Sequence, residues 1–138
     1  MTKNQKILSW IAQIAAAAIL IQTLYFKFSA APESVYIFST LGAEPLGRLG
    51  SGVIEAVAAL LLFMPKRAWI GAGLASLTML GAIGSHLTVL GIEIQGDGGL
   101  LFGLACTVLL CSLVVLWLRF PRHLLPKGLG RSEVRHVA

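Results

Sequence analysis

Four apolar stretches of about twenty residues each take up most of this chain, and nothing else in it constrains the fold as strongly. They run over residues 7–28, 46–64, 69–90 and 99–118. An α-helix rises ~1.5 Å per residue, so each reaches across a hydrocarbon layer of ~30 Å. Charged residues make up 12% of the chain and hydrophobic ones 57%. A soluble domain carries about twice that charge, and its helices show a polar face that these stretches lack. The expected fold is all-α: an integral membrane four-helix bundle in a single domain. Little chain remains for a separate soluble catalytic domain, so any chemistry belongs between the helices or at their ends.

The first stretch has the basic start of a signal peptide in Lys3 and Lys6. Its apolar run is too long for one, and its cleavage positions are poor. A cut after Ala30 puts Phe28 where a small residue is needed, and a cut after Ala31 puts Pro32 beside the scissile bond. It is expected to be a retained helix.

Orientation follows from the basic residues. With the N-terminus in the cytoplasm, Lys3, Lys6, Lys66, Arg67, Arg119, Arg122, Lys127, Arg131 and Arg135 share the cytoplasmic side, nine of the eleven Lys and Arg residues. Lys27 and Arg48 fall on the other side with Glu33, Glu44, Glu93 and Asp97. Basic loops stay inside, so both termini are expected to be cytoplasmic. The tail, residues 119–138, is expected to rest on anionic lipid headgroups. Topology accounts for the net charge of +5 without a nucleic-acid partner.

Pro65, Lys66 and Arg67 form a minimal link that makes the second and third helices antiparallel neighbours. Between the first and second, Pro32 suits a first helical turn, Glu33 complements a helix N-terminus and Gly42 suits a helix stop. With Val35, Tyr36, Phe38 and Leu41 apolar, this stretch reads as a short interfacial helix lying over the bundle. In the last link, glycines mark tight turns and Asp97 stands where it can cap the fourth helix. Two acids at that spacing are too few for a calcium loop. Small residues at packing spacing (Gly47, Ser51, Ala58 and Ala59; Gly71, Ala75 and Ala82; Gly99 and Gly103) let helices approach closely.

Ionisable groups inside a membrane are the natural candidates for function. Glu55 lies near the middle of the second stretch, with Arg48 two turns before it and Ser51 between them. Lys27 closes the first stretch, with Thr23 one turn below it and Gln22 nearby; His86 lies late in the third. By helical rise, Lys27, Arg48 and His86 lie near the outer boundary and Glu55 about 10 Å deeper than Arg48. The inner half reads as almost purely apolar apart from Gln13 and Thr107. The expectation is a polar pocket opening to the non-cytoplasmic side, with Glu55 at its base. A structural tie from Glu55 to Lys27 or His86 is the competing reading of the same residues. His86 has no histidine or cysteine partner in its half, so no metal site is expected. Cys106 and Cys111, five residues apart on one helix, face different ways and form no dithiol.

The sequences Tyr25-Phe26-Lys27-Phe28, Gly50-Ser51-Gly52-Val53-Ile54-Glu55 and Gly84-Ser85-His86 place a lysine, a glutamate and a histidine in order on three helices. In this the chain resembles the DoxX family of small bacterial membrane proteins, from about Leu20 to Leu118. The resemblance implies a multi-pass protein of the bacterial cytoplasmic (inner) membrane with Lys27, Glu55 and His86 as its polar core. Members of that family include the membrane subunit of a thiosulfate:quinone oxidoreductase and proteins linked to thiol and oxidative-stress systems. Arg48 joins the candidates from geometry alone.

Three functions follow as expectations. The first is a ligand-binding subunit of a membrane redox assembly. In it a quinone is the non-covalent ligand, Lys27, Arg48, Ser51, Gln22 and Thr23 line its site, His86 or Lys27 donates to a quinone carbonyl, and Glu55 relays protons. The chain has no haem-ligand pair or flavin fingerprint, so its electrons would come from a soluble or membrane redox partner protein. The second is a small-solute transporter, which with four helices requires a homodimer. The third is a structural or assembly protein whose polar cluster ties helices together.

Overall fold

The computed structural model of the chain describes residues 1–126, and all the regular structure among them is helical. The expected tail is therefore seen only in its first residues, and Lys127, Arg131 and Arg135 lie outside the described part. The helices are α1 (Lys3–Phe28), α2 (Pro32–Thr40), α3 (Leu46–Leu62), α4 (Ala68–Ser85) and α5 (Leu100–Arg119). A π-helical turn, His86–Leu90, extends α4, and a 3-10 turn, Arg122–Leu124, follows α5.

Local chemistry sets most of the helix ends. Thr2 and Gln5 form a capping box at the start of α1, each side chain meeting the other's backbone N–H. Pro32 occupies the first turn of α2, and Gly42 follows that helix at a φ of +70°, a left-handed value that favours glycine. Pro65 bars α3 from running on into α4. Before α5, the Asp97 carboxylate accepts the backbone N–H groups of Ile94, Gly99 and Leu101. That is the capping role expected of it, extended to the whole turn.

Three helical segments are long and apolar enough to cross a membrane: Lys3–Phe28, Ala68–Leu90 and Leu100–Arg119. The expected stretch 46–64 is a shorter helix of 17 residues, about 25 Å long. It stops two residues short of the expected end because Pro65 disfavours the helical conformation in the residue just before it.

α1, α3, α4 and α5 form a closed ring in which each packs against two neighbours: α1 with α3, α3 with α4, α4 with α5, and α5 with α1. α2 touches α1, α3 and the π-helical turn, so it lies over one end of the ring. The core is built largely of small residues, among them Ala16, Ala17, Ala58, Ala72 and Ala75. Large apolar side chains point outward instead, for example Ile11, Leu60, Leu77, Leu110 and Trp117, each at least 61% exposed. The fully buried side chains include Ser9, Gln13, Ser112 and, at 2% exposure, Glu55. This arrangement inverts that of a water-soluble bundle and suits hydrocarbon surroundings, where small residues allow close backbone packing.

Gly71 makes the closest of these approaches to the backbone of a neighbouring helix. A Cβ there would stand 2.7 Å from the Ala58 carbonyl oxygen and 2.9 Å from the Leu62 nitrogen, both backbone atoms. Gly71→Ala is expected to lower stability by about 1–3 kcal/mol by forcing α3 and α4 apart. Gly73→Ala has open space at its Cβ and should be neutral or slightly stabilising. Thermal unfolding of both variants in detergent checks this. Equal loss in the two would show that the α3–α4 contact is not the cause.

Candidate functional site

A cavity of about 600 Å³ lies in the half of the ring beneath α2. The last three turns of α1, the second and third turns of α3, the first turns of α5 and the C-terminal half of α4 form its walls, and α2 forms its roof. Most of the lining is apolar, including Leu20, Phe26, Ile37, Phe38, Leu101 and Leu104.

The polar part of the wall joins two helices. Lys27 at the end of α1 donates to Glu55 of α3 at 2.5 Å. The Thr23 hydroxyl, one turn below Lys27, makes a second contact with the Glu55 carboxylate at 3.2 Å. Glu55 is buried, and Lys27 keeps 14% side-chain exposure. The Lys27 ammonium also stands 5.6 Å from the centre of the Phe38 ring, so α2 covers the pair with an aromatic face. In low dielectric such a pair is strongly coupled, and neither charge tolerates loss of the other.

Five of the expected site residues line this cavity: Gln22, Thr23, Lys27, Ser51 and Glu55. Arg48 and His86 do not. Arg48 is buried at the α2 end of α3, where its Nε donates to both oxygens of Glu44 at 2.8 and 3.0 Å. Its Nη1 donates to the Lys27 carbonyl oxygen. It therefore ties the α2–α3 link to the end of α1. His86 turns away as well. Its Nδ1 is 2.8 Å from the Gly91 carbonyl oxygen, which makes Nδ1 the donor, and its ring packs edge-on against Phe102 at 5.5 Å. The interhelical tie from Glu55 runs to Lys27 and not to His86.

Two further acids, which the sequence marks only as helix-end residues, also reach the cavity: Glu33 in the first turn of α2 and Asp97 before α5. Asp97 is partly shielded from water, which opposes its charge. The three backbone N–H groups it accepts, with a smaller contribution from His86, outweigh that shielding and hold its carboxyl below the ordinary value. Its position directly before α5 is the signal that found the cap. Nothing in one sequence shows that the same loop folds over the cavity.

The opposite half of the ring corrects the expectation of an almost purely apolar interior. Arg119, read from sequence as the first residue of a basic tail, ends α5 and reaches back into the bundle. Its Nε donates to Ser9 at 2.6 Å and to the Gln13 side-chain oxygen at 2.8 Å, and its Nη1 reaches the Pro65 carbonyl. Gln13 in turn donates to the Leu62 carbonyl at 2.6 Å, and the guanidinium lies over the Trp10 ring. Between this cluster and the cavity, the buried Ser76 and Ser112 hydroxyls have no hydrogen-bond partner among the described residues. Thr107, expected to be the second polar group of this half, is exposed and bonds the Gly103 carbonyl of its own helix.

No group of three or more metal-ligating side chains comes together among the described residues. Cys106 and Cys111 are both unpaired. Compared with protein-family models, with curated proteins and with solved structures, the chain matches none.

Proposed function

We propose that this chain is a DoxX-like ligand-binding subunit of a bacterial inner-membrane redox assembly, holding a quinone-type molecule in the cavity beneath α2. The observation that carries the reading is the cavity itself, about 600 Å³ and mainly apolar, with one coupled polar group in its wall. Ligand sites are commonly built this way, an apolar body with a few convergent polar groups. A quinone carbonyl would accept from Lys27, an apolar tail would lie along the leucine-rich wall, and Glu55 would exchange protons with the reduced headgroup. Electrons would come from a redox partner protein.

In this reading α3 is the fourth membrane crossing and α2 lies on the non-cytoplasmic surface. Charge placement supports that orientation. Lys3, Lys6, Lys66, Arg67, Arg119 and Arg122 belong to the end opposite α2, while Glu33, Glu44, Glu93 and Asp97 belong to the α2 end. A second reading, in which the polar cluster is purely structural, draws on the short Lys27–Glu55 contact joining α1 to α3.

Native mass spectrometry of protein purified in mild detergent tests the proposal. Wild type is compared with Glu55→Gln and with Leu104→Trp, which places a bulky ring in the cavity wall. A stoichiometric quinone in wild type, lost in Leu104→Trp and reduced in Glu55→Gln, is the expected result. Bulk phospholipid alone in all three samples would overturn the ligand-site reading and leave the structural one.

A further inference from the structure

The charges that face the cavity are unbalanced. They are Lys27, Glu33, Glu55 and Asp97. Lys27 is the one cation among them, and Glu55 neutralises it at 2.5 Å. Arg48, the nearest further cation in α3, is held by Glu44 and does not reach the cavity. Asp97 is engaged by three backbone N–H groups. Glu33 is exposed and makes no hydrogen bond or ion pair among the described residues. An incoming anion would thus meet no free cation and at least one unbalanced carboxylate. An incoming cation would meet the reverse, together with the aromatic rings of Phe26 and Phe38.

We infer that the cavity selects its occupant by charge. It accepts lipophilic cations, an ammonium or phosphonium centre on an apolar body, with Glu33 as the balancing carboxylate, and rejects anions of the same size. The inference rests on the reading of the cavity as a ligand site and adds the class of charged ligand that it admits.

Tetraphenylphosphonium and tetraphenylborate test it, because they share size and shape and differ in the sign of their charge. Equilibrium dialysis in neutral detergent measures each against wild type, Leu104→Trp and Glu33→Gln. Binding that Leu104→Trp removes is assigned to the cavity. The expected cavity affinity is at least about tenfold higher for the phosphonium than for the borate, a difference of ~1.4 kcal/mol. Glu33→Gln should narrow that ratio about three- to tenfold. Cavity binding of the borate equal to or tighter than that of the phosphonium would overturn the inference. So would a ratio unchanged by Glu33→Gln, or no cavity binding of either probe. The mass-spectrometric experiment separates the two proposals: a bound quinone with no charge discrimination leaves the ligand site standing and removes only the charge selectivity.

Discussion

Lys27→Met should be the most damaging single substitution at the cavity, lowering stability by about 3–5 kcal/mol, because it strands the buried Glu55 carboxylate without its cation. Glu55→Gln should cost less. Its amide oxygen can still accept from the Lys27 ammonium, and Lys27 retains some exposure. The double variant Lys27→Met/Glu55→Leu should recover most of the loss, since apolar replacement of a buried pair is often close to neutral. Unfolding titrations in mixed micelles of wild type, Lys27→Met, Glu55→Leu and the double variant, followed by circular dichroism, give the coupling energy of this cycle. Additive losses would show that the pair does not hold α1 to α3. The same folded double variant tests the role of the pair once wild type is seen to hold a small molecule. A double variant that keeps the molecule makes the ion pair a structural tie, and one that is stable but empty assigns the pair to the ligand site.

Gln13→Leu should produce the second large effect, about 3 kcal/mol, at the opposite end of the ring. The substitution leaves the Leu62 carbonyl without its donor and removes an acceptor from Arg119, a charged group whose hydrogen bonds are stronger than neutral ones. Arg119→Lys should lose part of the same energy, because one ammonium cannot reproduce the spread of donors that reaches Ser9, Gln13 and Pro65. Thr107→Val is the control, since Thr107 is exposed and bonds only its own helix, and it should stay within about 0.5 kcal/mol of wild type. A Gln13→Leu protein as stable as that control would show that the cluster contributes nothing to the fold.

These two ends differ in how far a single sequence reveals them. Lys27 and Glu55 stand out because ionisable residues interrupt otherwise apolar stretches, and such residues are rare enough in hydrocarbon to draw notice one by one. Arg119 does not stand out, because a basic residue where an apolar stretch ends is what membrane topology already predicts. Its partners Ser9 and Gln13 are more than a hundred positions away, and only the closing of α5 against α1 brings them together. Arg48 and His86 show the converse. Both are conspicuous in sequence, yet each is turned to a local partner, Glu44 or the Gly91 carbonyl, and neither faces the cavity. A position in the chain places a residue at a depth and on a helix, but the side chain's direction depends on partners that the fold supplies.

The sequence by itself determined the helical class, the long apolar segments, the short helix over one end, the Asp97 cap and the place of the ionisable residues along their helices. All of these follow from local periodicity, helical rise and the intolerance of hydrocarbon for charge, which act within one stretch of chain. The tertiary structure alone decided which polar groups meet. It paired Lys27 with Glu55, took Arg48 and His86 out of the cavity, brought Glu33 and Asp97 to it, and closed the far end around Arg119. Those pairings depend on how four helices rotate about their axes and pack on small residues. Apart from α3, whose Arg48 and Glu55 mark one buried face, the long helices are apolar around most of their circumference, so no single stripe in their sequences dictates that rotation.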